Sequence, residues 1–445
     1  MTEPSEDRSV NPDASRRESY SLPGLVVTNR RFEVPLDHAD PDGERISIFA
    51  REVVAKERRA DDLPYLVFFQ GGPGSQAPRP EAKGGWLGRA LDRYRVLLLD
   101  QRGTGLSTPV HYQTLAARGD ARAQADYLAR FRADAIVADA ELIRRELIGD
   151  ERWAVLGQSF GGFCVLRYLS VAQEALSAAF ITGGIPPLDR PAEDVYRATY
   201  RRVARQNREF FARYPQAQAL ARRVADHLLA HEVSLPNGQR LTVEAFQQLG
   251  MEFGGSGGFE RVMDLLERAF VSVNGREELF YPFLHDLFYE LGFNDRPIFS
   301  VLHEAIYAQE AATAWAAHRV RAEFPEFDYA PGKRFLFTGE MIYPWMFDQY
   351  PALAPMKEAA ELLAAKDDWP RLYDVAVLER NRVPTAAALY FHDMYVDLDL
   401  ALETAARVPN LEVWVTSEYE HNGLRADGAR ILDRLFDLLP VVDHA

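Results

Sequence analysis

Short apolar runs and longer helix-period stretches alternate along most of this chain. The runs, each bounded by turn residues, fall at 31–36, 46–54, 65–70, 94–100, 153–157, 178–182, 334–338, 386–391 and 411–416. Their shortness and flanking turns predict strands. The first two are joined by His38-Ala-Asp-Pro-Asp-Gly43, a hairpin-like connection. Residues 133–147, 160–171, 400–408 and 426–439 carry helical periodicity instead. Strands alternating with helices predict a mostly parallel central sheet with helices on both faces, an α/β fold.

The alternation breaks between residues 187 and 330, where amphipathic helical stretches run through 192–213, 216–231 and 259–269. Gly254, Gly255, Gly257 and Gly258 interrupt them and read as a flexible connection. The economical reading is an α/β core in two parts, 23–186 and 331–445, split by a helical cap at 187–330. Residues 341–370 are expected at the rim of that cap.

Composition narrows the class. A chain of 445 residues can hold one large core plus an insertion. No stretch has the roughly 18 uncharged apolar residues that a membrane span needs. Residues 1–22 are polar at their start and read as a disordered tail without the apolar segment of a secretory signal. The one cysteine, Cys164, excludes an internal disulfide and fits a cytoplasmic protein. A net charge of -15 speaks against nucleic acid as a partner, because phosphate binding needs a concentrated basic surface. Oligomeric state is not legible.

The chemistry centres on Gly157-Gln158-Ser159-Phe160-Gly161, a G-x-S-x-G pattern with an apolar strand before it and a helix-period run after it. That context is the nucleophile elbow of an α/β-hydrolase, in which a serine sits on a sharp strand-to-helix turn. A serine hydroxyl needs a base, and this fold orders its triad serine, acid, histidine. Of the histidines beyond the cap, His444 is terminal and His392 directly follows the strand 386–391. His421, in Glu420-His421-Asn422-Gly423, follows the strand 411–416 by a short loop and is the expected base. The acid should end the preceding strand, where Asp393 is favoured and Asp397 is the alternative. Its work would be to hold the imidazole tautomer and stabilise the imidazolium. The glycine-rich segment Gln70-Gly-Gly-Pro-Gly74 can bring backbone N–H groups to a substrate oxygen. One oxyanion donor is assigned to Gly72, with Gly71 as alternative, and the other to Phe160.

Three motifs carry a family resemblance. Gln70-Gly-Gly-Pro-Gly74 is similar to the H-G-G-P-G segment of proline iminopeptidases, with Gln for His. Asp100-Gln-Arg-Gly-Thr-Gly-Leu-Ser107 matches their D-Q-R-G-x-G-x-S segment, and Gly157-Gln-Ser-Phe-Gly-Gly162 their elbow. The likeness covers about residues 25–440 and suggests the longer-chain members. It implies release of an N-terminal proline from short peptides, with cap carboxylates binding the substrate's cationic amine. Gly339-Glu340-Met-Ile-Tyr343 resembles the segment carrying one of them, which points to Glu340. Glu304 is the candidate for the second, with Glu310 as alternative. Tyr343-Pro-Trp-Met-Phe347 offers either a slot for a pyrrolidine ring or packing surface. The Asp100–Ser107 segment is expected to brace loops rather than to react.

The expected reaction is acyl transfer through Ser159, needing neither metal nor organic cofactor. An esterase or a broader aminopeptidase would use the same triad, and a ligand-binding protein without turnover is the rival of another class.

Overall fold

The computed structural model describes residues 17–439. Its strands are β1 (Arg17–Leu22), β2 (Leu25–Pro35), β3 (Arg45–Ala55), β4 (Tyr65–Phe69), β5 (Arg95–Asp100), β6 (Trp153–Gln158), β7 (Leu176–Thr182), the small hairpin β8 (Phe270–Val273) and β9 (Arg276–Leu279), β10 (Thr385–Tyr390) and β11 (Leu411–Thr416). All but the hairpin form one nine-stranded sheet in the order β1-β2-β3-β5-β4-β6-β7-β10-β11. The first three strands and the β3–β5 pair are antiparallel, and every pair from β5 to β11 is parallel.

The central strands are apolar at nearly every position because both sheet faces are covered. Val67, Phe69, Val155, Ile181 and Leu389 point to a layer built on helices Ala133–Ile148 and Phe160–Val171. Their neighbours Leu66, Phe68, Leu156, Phe180 and Ala388 pack on the other face against helices Gly85–Ala90 and Gly428–Leu438. Strand period two thus feeds two separate apolar layers.

Between β7 and β10 the chain leaves the sheet for a run of helices, the cap. Helices Ala192–Arg213, Ala217–Ala230, Gly258–Glu267 and Tyr281–Glu290 share a third apolar core. That core also takes in Leu115, Leu128 and Phe131 from the connection after β5, so the cap rests on the core domain's own loops. Among the described residues, no helix is long and apolar enough to cross a membrane.

Three expectations need correction. The run 334–338 has the composition of a strand but joins no sheet. Phe335 and Phe337 instead bury themselves in the cap core. The Phe337 amide donates to Asn207 Oδ1 at 2.8 Å and that of Thr338 to the Gln247 carbonyl at 2.8 Å, so cap groups supply the partners a ladder would have. Side chains from Phe335 to Trp369 belong to the cap core, and the chain re-enters the sheet only at β10. Where the second part of the core is expected from 331, with 341–370 at the cap's rim, the first strand to rejoin the sheet begins at Thr385. Third, residues 17–22 of the expected tail form β1, paired with β2 through a turn at Gly24, and Tyr20 and Leu22 pack on the core. The other tail residues, 1–16, lie outside the described residues, as does His444.

Candidate active site

β6 ends at Gln158 and the next helix starts at Phe160, leaving Ser159 alone to turn the chain. It does so at φ 54° and ψ -125°, a left-handed backbone that a non-glycine residue adopts only when its surroundings impose it. Here the Ser159 amide donates to the Thr182 carbonyl at 2.9 Å, and its carbonyl accepts from Gly162 at 2.7 Å. The turn closes only because its flanks lack side chains. A Cβ on Gly157 would sit 2.2 Å from the Gly161 carbonyl oxygen, and one on Gly161 would sit 2.0 Å from that of Phe69.

His421 arrives on the loop after β11. Its Nδ1 stands 2.6 Å from Asp393 Oδ2, and both residues are buried. The other oxygen of Asp393 accepts the amides of Tyr395 at 2.8 Å and Val396 at 3.0 Å, which fixes the carboxylate's orientation. Asp397 is used elsewhere: it caps the helix Leu398–Ala405 and binds Arg202 Nε at 2.7 Å. His392 lies near Arg205. Burial by itself would depress the His421 imidazole, but the charge and hydrogen bond of Asp393, with the charge of Glu340, hold it above its ordinary value.

Ser159 and His421 line one cavity of about 480 Å³. The imidazole Nε2 has Gln158 Nε2 at 3.5 Å, and among the described residues it makes no hydrogen bond to Ser159 Oγ in this structure. Such contacts commonly tighten only when substrate is bound. Gly71 and Gly72 line the same cavity, and a Cβ on Gly71 would lie 2.8 Å from that of Ser159. Gln101 Nε2 donates to the Gln70 carbonyl at 2.9 Å and braces this loop.

Further bracing comes from the Asp100–Ser107 segment. Asp100 accepts the amides of Ala77 at 3.0 Å and Leu106 at 2.9 Å. Arg102 is buried, forks onto Asp139 and reaches the carbonyls of Pro35, Leu36 and Arg130.

The carboxylates separate into two kinds. Glu340 lines the cavity, and burial, reinforced by the Asp393 charge, pushes its carboxyl up to about 7 despite the opposing cations His421 and Arg296. Glu304 is elsewhere. Both its oxygens accept backbone amides, from Ala316 at 3.0 Å and Ala317 at 2.9 Å, at the start of the helix Ala316–Arg321. It does not line the cavity, so the expectation that it binds substrate is corrected: each of its oxygens instead holds a backbone amide of the fold. Glu310 is an exposed partner of Arg371 and is not a lining residue either. Tyr343, Met346 and Phe347 are buried in the cap core, so that aromatic segment serves packing.

Sequence reasoning missed several lining residues: Trp86, Glu252, Glu290, Phe299 and Tyr395. The Tyr395 ring meets the His421 ring edge-on at 4.8 Å, and its hydroxyl donates to the Met251 carbonyl of the cap. Burial, with Glu252 beside it, pushes the Glu290 carboxyl upward. The glycine-rich connection is not merely flexible. The His421 amide donates to the Gly254 carbonyl at 3.0 Å, and a Cβ on Gly254 would lie 2.2 Å from Tyr395 Cζ. The only signal for it was the density of glycines, which marks close approach as readily as flexibility.

Comparison with known proteins places the chain. Residues 64–261 match a family model described as the alpha/beta hydrolase fold. A proline iminopeptidase of Aeromonas sobria is 55% identical over 420 residues, covering 94% of this chain and 98% of that one. One from Aspergillus aculeatus is 37% identical over 431 residues, covering 95% and 96%. Among solved structures, esterase E22 is 11% identical with a TM-score of 0.47, covering 93% of this chain and all of that one, 100%. The chain belongs to the proline iminopeptidase family.

Proposed function

We propose that this protein is a serine aminopeptidase that releases N-terminal proline from peptides through an acyl-enzyme. The observation that carries the reading is the meeting of Ser159, the Asp393–His421 pair and the Glu340 carboxylate around one cavity. The relatives named above are called proline iminopeptidases, and peptides are accordingly the substrate class.

In this reading the substrate's protonated imino nitrogen lies against Glu340, which a cation would draw into its ionised form. His421 takes the proton of Ser159 as its oxygen attacks the carbonyl of the first residue. Asp393 holds the imidazole with Nδ1–H toward itself, leaving Nε2 free to accept. The N–H groups of Gly72 and Phe160 receive the oxyanion. His421 then gives its proton to the departing amine, and the same imidazole activates water to free the proline. Trp86, Phe299 and Tyr395 give the cavity apolar surface suited to a pyrrolidine ring. The single cysteine is the support for a cytoplasmic setting.

Proline and alanine p-nitroanilides test the assignment. Proline is expected to give the higher kcat/KM; equal or faster turnover of the alanine compound would remove the proline preference. An active esterase with no anilide turnover would favour the ester reading.

A further inference from the structure

We infer that Arg425, with Arg296, receives the free α-carboxylate of a short peptide at the cavity mouth, so that substrates ending within the cavity are selected by their C-terminal charge. The inference rests on the aminopeptidase reading and extends it to the leaving group.

Three arginines line the cavity, Arg261, Arg296 and Arg425, and all three are exposed. They differ in what already holds them. Arg261 is bound by Glu252, with Nε 2.9 Å from Oε2. Arg296 has its exposed chain neighbour Asp295 at 3.5 Å, the Gly292 carbonyl at 3.4 Å and the Phe299 ring centre 5.9 Å from its guanidinium carbon, and its charge also acts on Glu340, so it is the lesser partner of the pair. Arg425 makes neither a salt bridge nor a side-chain hydrogen bond among the described residues. Elsewhere on the surface, arginines are commonly paired: Arg430, on the next helix, is held by Glu418 at 2.9 Å, and Arg190 by Glu403 at 2.8 Å. A cavity-lining arginine without a side-chain partner among the described residues is therefore available to a carboxylate.

Its place along the chain gives it a role. Arg425 lies on the short helix Gly423–Ala426, directly after the His421 loop. His421 must protonate the leaving amine, so the residue beyond the scissile bond lies on the His421 side of the cavity. In a dipeptide that same residue carries the α-carboxylate. The cavity thus has a carboxylate, Glu340, for the amine of the first residue, and a lining cation four residues beyond His421, Arg425, for the opposite charge. A zwitterionic short peptide matches both, whereas an amidated peptide forfeits the second contact. A cavity of about 480 Å³ is in the range of small-ligand sites.

The test compares kcat/KM for Pro-Ala with that for its C-terminal amide, with proline p-nitroanilide as a reference lacking any carboxylate. Wild type is expected to favour the free acid about tenfold, mainly through KM, with the preference shrinking as NaCl is raised. R425Q is expected to bring the acid-to-amide ratio close to one, R425K to retain part of the preference, and R296Q to reduce it less. No acid preference in wild type, or an equal loss on acid and amide in R425Q, overturns the inference. A wild type that turns over neither the anilide nor the dipeptide overturns the aminopeptidase reading, and this inference with it. Active anilide hydrolysis with no acid preference sinks the carboxylate receptor alone.

Discussion

The Nδ1 of His421 and the Oδ2 of Asp393 are 2.6 Å apart in a buried setting, and the second carboxylate oxygen of Asp393 is tied down by two backbone amides. The pair is therefore pre-oriented before any substrate enters, with Nε2 on the side away from Asp393, 3.5 Å from Gln158 Nε2. Burial opposes the imidazolium, but Asp393 and then Glu340 outweigh it, so His421 holds its proton to higher pH than an ordinary histidine at 6.5. In the proposed mechanism His421 is the general base, and a general base must be neutral to act. The acidic limb of kcat/KM should consequently lie above pH 6.5, with activity rising as pH passes through the His421 value. A limb at or below pH 6 for a substrate without ionisable groups of its own in that range would contradict this electrostatic balance.

Asp393→Asn removes both the charge and the correct acceptor while keeping the shape. The imidazole would lose its largest stabilising partner and its tautomer. We expect kcat to fall by about 10⁴-fold, the size of effect seen when a triad acid is neutralised, and the acidic limb to move to lower pH. Asp397→Asn should leave the limb in place, because that residue caps a helix and binds Arg202. Its cost would appear in thermal unfolding instead.

The sequence carried the elbow and the sheet well, for physical reasons particular to them. A serine forced to φ 54° needs glycines where side chains would strike backbone, and those glycines are visible as G-x-S-x-G. Buried parallel strands are uniformly apolar and stand out between helices. What failed depended on the partner across space. The run 334–338 has strand composition, and only the presence of Asn207 and Gln247 in the cap decides that it joins no sheet. Glu304 and Glu340 are each a glutamate in a mixed segment, and nothing local tells that one holds the amides of residues 316 and 317 while the other meets the cavity. Trp86 and Tyr395 line the cavity from unrelated parts of the chain, and no spacing links them to Ser159.

The two glutamates make opposite predictions. Glu304→Ala leaves two buried amides without acceptors and should cost about 1–3 kcal/mol of stability, read as a lower urea midpoint with KM for proline p-nitroanilide little changed. Glu340→Gln should do the reverse. The Glu340 carboxyl titrates at about 7 in the fold against an ordinary 4.5, so the folded protein holds its proton more tightly than the unfolded chain does. Stability is then lost as pH rises from 4.5 towards 7, and the loss is complete above it. E340Q removes that loss, and at pH 8 it should be more stable than wild type by about 3 kcal/mol, with no gain at pH 4. The same change should raise KM for substrates with a free imino group about tenfold or more. A variant that kept full kcat/KM would defeat the amine-binding role of Glu340.

Replacing Gly254 tests whether the cap helps to position the base. A methyl group there would lie 2.2 Å from Tyr395 Cζ, and Tyr395 packs edge-on against His421, whose own amide donates to the Gly254 carbonyl. The clash cannot be relieved by a flexible side chain end, because the tyrosine hydroxyl is anchored on the Met251 carbonyl. Either the turn or the His421 loop must move. A displacement of about 1 Å at the reacting atoms can cost about 10²-fold in rate. Gly254→Ala should therefore lower kcat strongly while leaving the core sheet folded by circular dichroism. Gly257 is the control: its φ is 77°, so alanine is strained there too, but its nearest contact is the Arg261 guanidinium at 3.9 Å rather than a ring against the base. If G254A and G257A reduced kcat equally, the effect would be one of loop strain in general, and the Gly254–Tyr395–His421 contact would have no special part in aligning the imidazole.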